Sequence, residues 1–280
     1  MSSEAMNLGD IERHWRNWAV SFGKDLRATT KGRTAKMIEV AALGRVIDLA
    51  QREIGRPLEI LEVGCGNGFN CSWIAQNFPK CHVRGVDYIP EMIEAAKLRQ
   101  QEDSIPSDRL TYQVGNALDL SDVPGSYDVV FTNRCLINLN TWDLQSQAYR
   151  QLVSKVRPGG YVATIENSVP ARQRQDQLRK SAGLSERPID KFNTFFEAEA
   201  LENLAKESGL DVVCNDHVSS LHDLMLYVLL PMTNGGIIDY EHPLVTAAAQ
   251  INIELTNNLR LDLGPVGQNF LLLCRKPRQD

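Results

Sequence analysis

The sequence predicts an α/β fold in which helices cover both faces of a mostly parallel sheet. Strand-like and helix-like segments alternate from Leu58 onward, which is the pattern of strand–helix–strand units. The first apolar run, Leu58–Val63, passes through a glycine-rich turn into a helix, as parallel sheets do at a ligand site. Two helical stretches, 1–57 and 216–268, fall outside this alternation. We therefore expect one doubly wound domain with N-terminal helices and a helical insertion before the last strand.

Seven segments have the composition and length of strands: Leu58–Val63, Cys81–Asp87, Leu110–Gly115, Tyr127–Thr132, Tyr161–Glu166, Leu210–Asn215 and Asn269–Arg275. Four helix-like segments lie between them: Asn70–Asn77, Pro90–Gln101, Thr141–Val156 and Phe196–Ser208. Pro90 suits the first turn of its helix, because a proline there sacrifices no intrahelical hydrogen bond. The run Arg157-Pro158-Gly159-Gly160 is expected to end the preceding helix before the fifth strand.

The two helical stretches have distinct expected uses. In residues 1–57, regularly spaced apolar residues from Met37 to Ala50 predict one buried helix face. The insertion contains two helix-like segments, Leu221–Met232 and Pro243–Leu259, joined through Gly235-Gly236. Its apolar composition favours either a cover over a substrate or a contact between two copies in a homodimer. The domain division is thus a helical extension or cover over 1–57 and a main domain over 58–280.

Composition excludes several classes of partner. A net charge of −5 and a pI near 5.6 argue against a protein that binds duplex nucleic acid through a broad basic surface. The longest apolar run, Leu224–Met232, has about half of the roughly 20 residues that a membrane span needs. The six cysteines form no C-x-x-C pair, so neither a metal site nor a disulfide framework is expected. We expect a cytoplasmic protein without nucleic-acid or membrane partners.

The glycine turn Gly64-Cys65-Gly66-Asn67-Gly68 is the most specific signal in the chain. Glycines allow positive φ angles and a close approach of the backbone to a ligand. A dinucleotide fingerprint requires glycine at the sixth position, where this chain has Phe69, so the spacing opposes a nicotinamide oxidoreductase. An acid, Glu62, stands two residues before the first glycine. The pattern resembles the first motif of class I S-adenosylmethionine (SAM)-dependent methyltransferases, although a glycine turn of another α/β protein remains the alternative.

Polar residues at other strand ends extend this pattern. Asp87 ends the second strand about 20 residues after the turn, where a carboxylate can accept hydrogen bonds from both ribose hydroxyls. Its alternative role is to cap the helix that begins near Pro90. Tyr88 and Ile89 would border the adenine ring, and the resemblance places Asn116-Ala117-Leu118 at the adenine edge.

The resemblance covers about residues 58–167, and Lys155–Tyr161 is a further element typical of these enzymes. It implies a Rossmann-like sheet of seven strands whose last strand, Asn269–Arg275, is antiparallel. It also implies SAM as cofactor and S-adenosylhomocysteine (SAH) as product. The residues expected to bind the cofactor are Trp15, Lys36, Glu62, Gly64, Cys65, Gly66, Asn67, Gly68, Asp87, Tyr88, Ile89, Asn116, Ala117, Leu118 and Asn133.

A finer resemblance concerns the methyl acceptor. Arg134–Leu139 followed by Trp142, together with Trp15 and the stretch Ala28–Lys36, is similar to bacterial enzymes that methylate sugars or phosphorylated groups of surface polysaccharides. The Asn/Asp-Pro-Pro-aromatic motif of base amino-methylation is missing after the fourth strand, as are the acids of metal-assisted catechol methylation. The predicted acceptor is therefore a small molecule or a glycan end.

Methylation of a hydroxyl needs a base and an aligned acceptor. Candidate bases are Glu166 at the end of the fifth strand and His217 or His222 after the sixth, each with a purely structural alternative. Arg134 follows the fourth strand at the centre of the cleft and could bind an anionic acceptor. Two basic clusters could assist it or could simply form solvated faces: Lys24, Arg27, Lys31, Arg33 and Lys36, and Arg172, Arg174, Arg179 and Lys180. Trp15 and Trp18 fit either a core or a lid.

The expected function is SAM-dependent O-methylation of a small polar or anionic sugar or phosphoryl compound. One alternative keeps the cofactor but makes the acceptor an amine, as in N-methylation of natural products, and then no general base is needed. Another alternative is a non-catalytic SAM-binding scaffold subunit, whose cover helices would pack the cleft shut.

Overall fold

The computed structural model of the chain describes residues 6–256 and 264–278. Its sheet consists of β1 (Glu59–Val63), β2 (His82–Asp87), β3 (Leu110–Val114), β4 (Tyr127–Asn133), β5 (Val156–Asn167), β6 (Asp211–His217) and β7 (Asn269–Arg275). The strand order is β3-β2-β1-β4-β5-β7-β6. Strand β7 runs antiparallel to β5 and β6, and the other neighbouring pairs are parallel. The predicted fold class is confirmed, including the antiparallel last strand.

The helices flank this sheet. They are α1 (Leu8–Phe22), α2 (Arg33–Ile54), α3 (Phe69–Asn77), α4 (Pro90–Glu102), α5 (Trp142–Lys155), α6 (Val169–Ser181), α7 (Ala198–Glu207), α8 (Ser220–Leu224), α9 (Leu230–Thr233) and α10 (Pro243–Glu254). A π-helical turn, Met225–Leu229, joins α8 to α9, so the first predicted helix of the insertion forms as one segment. The expected end of the second, at Leu259, lies outside the described residues.

Two apolar layers hold the helices to the sheet, because successive side chains of a strand point to opposite faces. Ile60 of β1 and Phe131 of β4 pack in the same layer as Leu43 and Ile47 of α2. Leu61 lies in the opposite layer with side chains of α5 and α7. Helix α2 of the N-terminal extension is therefore part of the main core and positions its first turns at the edge of the sheet.

The start of β5 differs from the prediction. Arg157–Gly160 was expected to be a turn, but β5 begins at Val156 and includes this run. Val156 pairs with Tyr127, and a register shift follows before Val129 pairs with Tyr161. Gly159 takes a φ of +80° within this irregular stretch. The proline and glycines thus form a bulge inside the strand, a place where both residue types are accepted.

Candidate functional site

A cavity of about 520 Å³ lies at the carboxyl ends of the central strands. Its size falls within the roughly 300–1,000 Å³ typical of small-molecule sites. Its wall combines the glycine turn and the loops after β2, β3 and β4 with α1, the start of α2, the segment 187–195 and the insertion. This is the edge at which open α/β sheets bind ligands.

The glycine turn follows β1 and forms part of the cavity wall. Gly64, Gly66 and Gly68 have φ angles of +77°, +51° and +76°, a region that side chains with a Cβ rarely adopt. A Cβ on Gly64 would lie 2.3 Å from Sγ of Cys135, and one on Gly66 would lie 2.7 Å from Cγ2 of Thr29. The first and second glycines are therefore required by backbone conformation and by the neighbouring protein atoms.

Asp87 connects the glycine turn to the loop after β2. Its Oδ2 accepts a hydrogen bond of 2.7 Å from the Gly66 N–H, and its Oδ1 accepts one of 2.9 Å from the Ile89 N–H. Burial raises the pKa of this carboxyl. Ile89, and not Asp87, is the N-cap residue of α4. Asp87 lines the cavity with its neighbours Tyr88 and Ile89, and the predicted Asn116-Ala117-Leu118 segment does so as well.

We call the part of the cavity lined by the glycine turn and Asp87 the cofactor end. A buried carboxylate of α2 organises the residues that line the cavity beside it. Glu39 of α2 is fully buried, and its oxygens lie 2.7 Å from Lys36 Nζ and 2.7 Å from Arg134 Nε. The side-chain amides of Asn133 and Asn269 also donate to it, at 2.9 and 3.2 Å. Burial opposes ionisation, but Arg134 and Lys36 outweigh it and lower the pKa of Glu39 to about 2. These four partners line the cavity, so two cations around one carboxylate leave a net positive charge there.

Glu39 was missed by the sequence analysis. The available signal was a Lys36-x-x-Glu39 pair that interrupts the apolar face of α2. Arg134 lies in the cavity wall, but Glu39 already holds its Nε, and its Nη2 donates to the carbonyl of Thr29 at 3.3 Å. Its expected role as the anchor of an anionic acceptor stays a prediction that this pairing does not favour.

Two expected cofactor contacts do not lie in the cavity wall. Glu62 is fully buried below the glycine turn, where it accepts hydrogen bonds from Asn70 Nδ2 at 2.6 Å and Cys71 Sγ at 2.9 Å. Burial raises its pKa to about 7. Gly68 is the N-cap residue of α3. The geometry assigns both residues to holding the start of α3 beneath the ligand site.

The expected bases are also displaced from the cavity. Glu166 is fully buried and accepts backbone N–H bonds from Leu136 and Ile137 at 3.1 and 3.3 Å. Burial raises its pKa to about 8. His217 lies against β7, with Nδ1 2.7 Å from the Gly267 carbonyl. Neither side chain lies in the cavity wall, so the structure does not support either of them as the base.

We expect Glu166 to make the protein less stable as the pH rises from about 5 to 9. Its pKa is raised in the folded state, so its stabilising contribution is complete below the unfolded value and is lost as the pH approaches about 8. The loss amounts to about 1.4 kcal/mol per pH unit while only the unfolded carboxyl is ionised. Glu166→Gln cannot ionise, and urea denaturation should show a smaller fall in its unfolding free energy. If the unfolding free energy fell equally in the variant and the wild type, the raised pKa of Glu166 would be contradicted.

His14, Trp15 and Trp18 of α1 form an aromatic roof with Phe192. The sequence analysis allowed Trp15 and Trp18 as a lid but missed His14 and Phe192. The His14 ring stacks on Phe192 with centroids 4.2 Å apart, and Trp15 meets Phe192 edge-on at 5.5 Å. Trp15 Nε1 donates to Asn138 Oδ1 at 3.3 Å, which fixes its ring over the loop after β4. All four rings line the cavity. The spacing of the tryptophans was visible in the sequence, but nothing indicated that Phe192 would join them.

The insertion forms part of the same wall. Asp223, Tyr227 and Tyr240 line the cavity, and a Cβ on Gly32 would lie 2.9 Å from the Tyr240 ring. His222 is buried beside the cavity, with Nδ1 2.9 Å from Asp223 Oδ1 and Nε2 2.9 Å from Thr34 Oγ1. The N-terminal segment and the insertion therefore meet each other over the sheet edge.

Residues 60–160 match the protein family Methyltransf_25, described as a methyltransferase domain. A norajmaline N-methyltransferase of Rauvolfia serpentina is 24% identical over 132 residues, which are 45% of this chain and 44% of that protein. A ubiquinone biosynthesis O-methyltransferase of Mesorhizobium japonicum is 34% identical over 116 residues, which are 41% and 43% of the two proteins. The chain thus matches less than half the length of these two relatives.

Solved structures confirm the fold over nearly the whole chain. Magnesium protoporphyrin IX methyltransferase from Synechocystis with bound SAH has a TM-score of 0.58 at 12% identity, covering 96% of this chain and 100% of that one. The N-methyltransferase NodS from Bradyrhizobium japonicum in complex with SAH has a TM-score of 0.57 at 13% identity, covering 96% and 99%.

The seven-stranded sheet is consistent with the Rossmann-like methyltransferase fold, and the glycine turn and Asp87 at the end of β2 lie in the cavity wall. Residues 60–160 match a methyltransferase domain, and both of these solved structures hold SAH, the demethylated form of SAM. The cavity wall fits this cofactor: Asp87 can accept from ribose hydroxyls, and the Lys36 and Arg134 cations suit a carboxylate. Across residues 6–256 and 264–278, no helix is long and apolar enough to cross a membrane. The same residues contain no group of three or more His, Cys, Asp or Glu side chains placed to hold a metal ion.

Proposed function

We propose that the whole chain transfers a methyl group from SAM to an oxygen atom of a small polar or anionic acceptor. The observation that carries this proposal is the extent of the cavity. Beyond the residues suited to the cofactor, it continues between the aromatic roof and Tyr227 of the insertion. A scaffold subunit with a closed cleft would leave no such space, so the open second end supports a catalytic role.

The chain's own residues supply binding, alignment and proton transfer. SAM, when bound, supplies an electrophilic methyl group. Asp87 and the glycine turn hold it, while the aromatic roof and the insertion cover the acceptor and exclude water. His14 replaces Glu166 as the proposed base, because it lies in the cavity wall and burial lowers its pKa, which keeps the imidazole neutral near pH 7. A neutral imidazole can accept the proton of a hydroxyl.

The acceptor class is a sugar or phosphoryl compound in polysaccharide or related metabolite biosynthesis. Support for it comes from the motif resemblance after β4 and from the positive charge in the cavity wall. The competing function is N-methylation, which is favoured by the matched N-methyltransferase of Rauvolfia serpentina. An amine acceptor needs no strong base, so His14→Gln should lower turnover of a hydroxyl acceptor severely but that of an amine only slightly.

We expect Asp87→Ala to weaken SAM binding at least tenfold. A charge-assisted hydrogen bond contributes about 1.5–3 kcal/mol, and loss of even one would have this effect. The variant also removes the acceptor of the Gly66 N–H, which would loosen the glycine turn. The measurement is isothermal titration calorimetry with SAM, SAH and NAD.

The matched control is Asp108→Ala, an exposed aspartate in the loop before β3. It should bind SAM as the wild type does. An unchanged dissociation constant for Asp87→Ala would remove the ribose-binding assignment, and tight binding of NAD in place of SAM would overturn the proposed function itself.

A further inference from the structure

Three arginines lie together where the segment after α6 meets the insertion. Arg172 and Arg179 of α6 are 5% and 3% exposed, and Arg187 follows in the next loop. We call Arg172, Arg179 and Arg187 the arginine cluster. The three are close enough for Arg187 to lower the pKa of both other guanidinium groups, although burial has the larger effect on each. Buried like charges are costly unless acids compensate them.

The acids near the cluster compensate it only in part. Arg172 Nε pairs with Asp176 Oδ2 at 2.8 Å. Arg179 instead donates to two backbone carbonyls, those of Ser185 and Tyr227. Among the described residues, no carboxylate lies within ion-pair distance of Arg179 or Arg187. One acid therefore faces three cations directly.

Asp223 is a second acid near the cluster and lines the cavity, and groups other than the three arginines occupy its oxygens. Oδ2 accepts from Ser219 Oγ at 3.0 Å, Gln175 Nε2 at 3.2 Å and the Gln268 N–H at 2.8 Å. Oδ1 lies 2.9 Å from His222 Nδ1. Asp223 thus holds together the elements around the cluster and pairs with none of its arginines.

Arg187 is oriented by two glutamine side chains and a tyrosine ring, which carry no negative charge to balance its own. Its Nη2 donates to the side-chain oxygens of Gln175 and Gln268, and its guanidinium lies 3.4 Å from the centroid of the Tyr227 ring. Its Nε is buried and has no hydrogen-bond partner. A planar guanidinium fixed in this way is suited to a carboxylate or a phosphate.

The cluster belongs to the cavity that holds the cofactor residues. Arg172 and Arg187 both line it. Gln268, which binds Arg187, is followed by Asn269, whose amide donates to Glu39 behind the Lys36 and Arg134 cations. A group bound by Arg187 would therefore lie in the same cavity as the glycine turn and Asp87.

We propose that Arg187 binds an anionic group of the methyl acceptor, a phosphate monoester or a carboxylate, that the neighbouring Arg172 adds positive charge, and that Tyr227 packs beside it. This inference rests on the proposed function and names the anchor of its substrate. The sequence analysis gave this role to Arg134 and allowed the two basic clusters, which contain Lys31 and Arg172, to assist it. Glu39 holds Arg134, however, and Asp190 Oδ2 lies 2.9 Å from Lys31 Nζ.

The test is calorimetric titration of the SAH-saturated protein with phenyl phosphate, benzoate and the neutral benzyl alcohol. We expect the anions to bind at least tenfold more tightly than benzyl alcohol. Whichever of phenyl phosphate and benzoate binds more tightly identifies the anionic group. Arg187→Gln should weaken anion binding at least tenfold and leave SAH affinity unchanged, whereas Arg187→Lys should retain part of the binding because it keeps the charge.

The matched control is Arg174→Gln, which removes the same charge from an exposed position of α6. It should bind all three probes as the wild type does. Thermal unfolding of each variant identifies any that fails to fold, and Arg187→Lys then carries the comparison. Equal binding of anions and benzyl alcohol, or equal losses in the Arg174 and Arg187 variants, would overturn the inference while SAH binding still stands. If the wild type itself did not bind SAH, the proposed function would be overturned instead.

Discussion

Gly64→Ala is expected to lower the free energy of unfolding by about 2–5 kcal/mol and to abolish SAM binding. Two physical effects add. A residue with a Cβ at a φ of +77° is strained, and the new methyl group would lie 2.3 Å from Cys135 Sγ and 2.4 Å from its Cβ. The collision can be relieved only if the end of β1 or the loop after β4 moves. Both line the cavity at its cofactor end. Urea denaturation and calorimetry measure the two effects.

Gly125→Ala separates the strain from the collision. Gly125 has a φ of +85° and no atom within 4 Å of an added Cβ, so only the conformational cost of about 1–2 kcal/mol should appear. The double variant Gly64→Ala with Cys135→Gly removes the colliding atoms and should recover part of the lost stability. If Gly64→Ala were no less stable than Gly125→Ala, the close packing of Cys135 on the turn would be refuted.

The sheet and the cofactor end could be predicted because their signals are local. Buried parallel strands are continuous apolar runs, and the glycine turn and Asp87 occupy fixed positions after two of them. The structure places both at the cavity, as expected. The bulge at the start of β5 was not predicted, because a proline and two glycines in sequence indicate a turn more often than a strand.

The predicted bases Glu166 and His217 lie outside the cavity wall, and for Glu166 the reason is geometric. Successive strand residues point to opposite faces, so a position near a strand end leaves the direction of its side chain undetermined. Glu166 of β5 points to buried backbone N–H groups of the loop after β4, whereas Asn167, one residue further, lines the cavity. Glu62 shows the same ambiguity on β1, which β4 separates from β5 in the sheet.

The part of the cavity wall formed by the aromatic roof, Arg187 and the groups around Glu39 depends on contacts between distant parts of the chain, which single-sequence patterns do not contain. Phe192 reaches His14 from nearly 180 positions away. The Asn269 amide reaches Glu39 across 230 positions. Arg187 gains its orientation from Gln268 of the segment that leads into β7. Charge in the sequence indicated that basic residues were present, and only the fold distinguishes those held by an acid, such as Arg134 and Lys31, from Arg187.

Glu39→Gln is expected to destabilise the protein by about 3–5 kcal/mol, the usual cost of removing one partner from a buried ion pair. The change leaves the Lys36 ammonium, which is 4% exposed, and the Arg134 guanidinium facing each other without a carboxylate. Asp48→Asn is the matched control, since it removes an acidic charge from an exposed position of the same helix and should have little effect. Urea denaturation at neutral pH compares the two.

The pH dependence of the same variant tests the assigned charge state. The pKa of Glu39 is depressed to about 2, so its stabilising contribution is complete above the unfolded value and is lost as the pH falls toward 2. The wild type should therefore lose more stability than Glu39→Gln between about pH 5 and pH 3. Glu39→Gln combined with Lys36→Met removes one of the two stranded cations and should restore part of the loss. Parallel acid profiles of wild type and Glu39→Gln, with no recovery in the double variant, would mean that Glu39 does not hold Lys36 and Arg134 at the cavity.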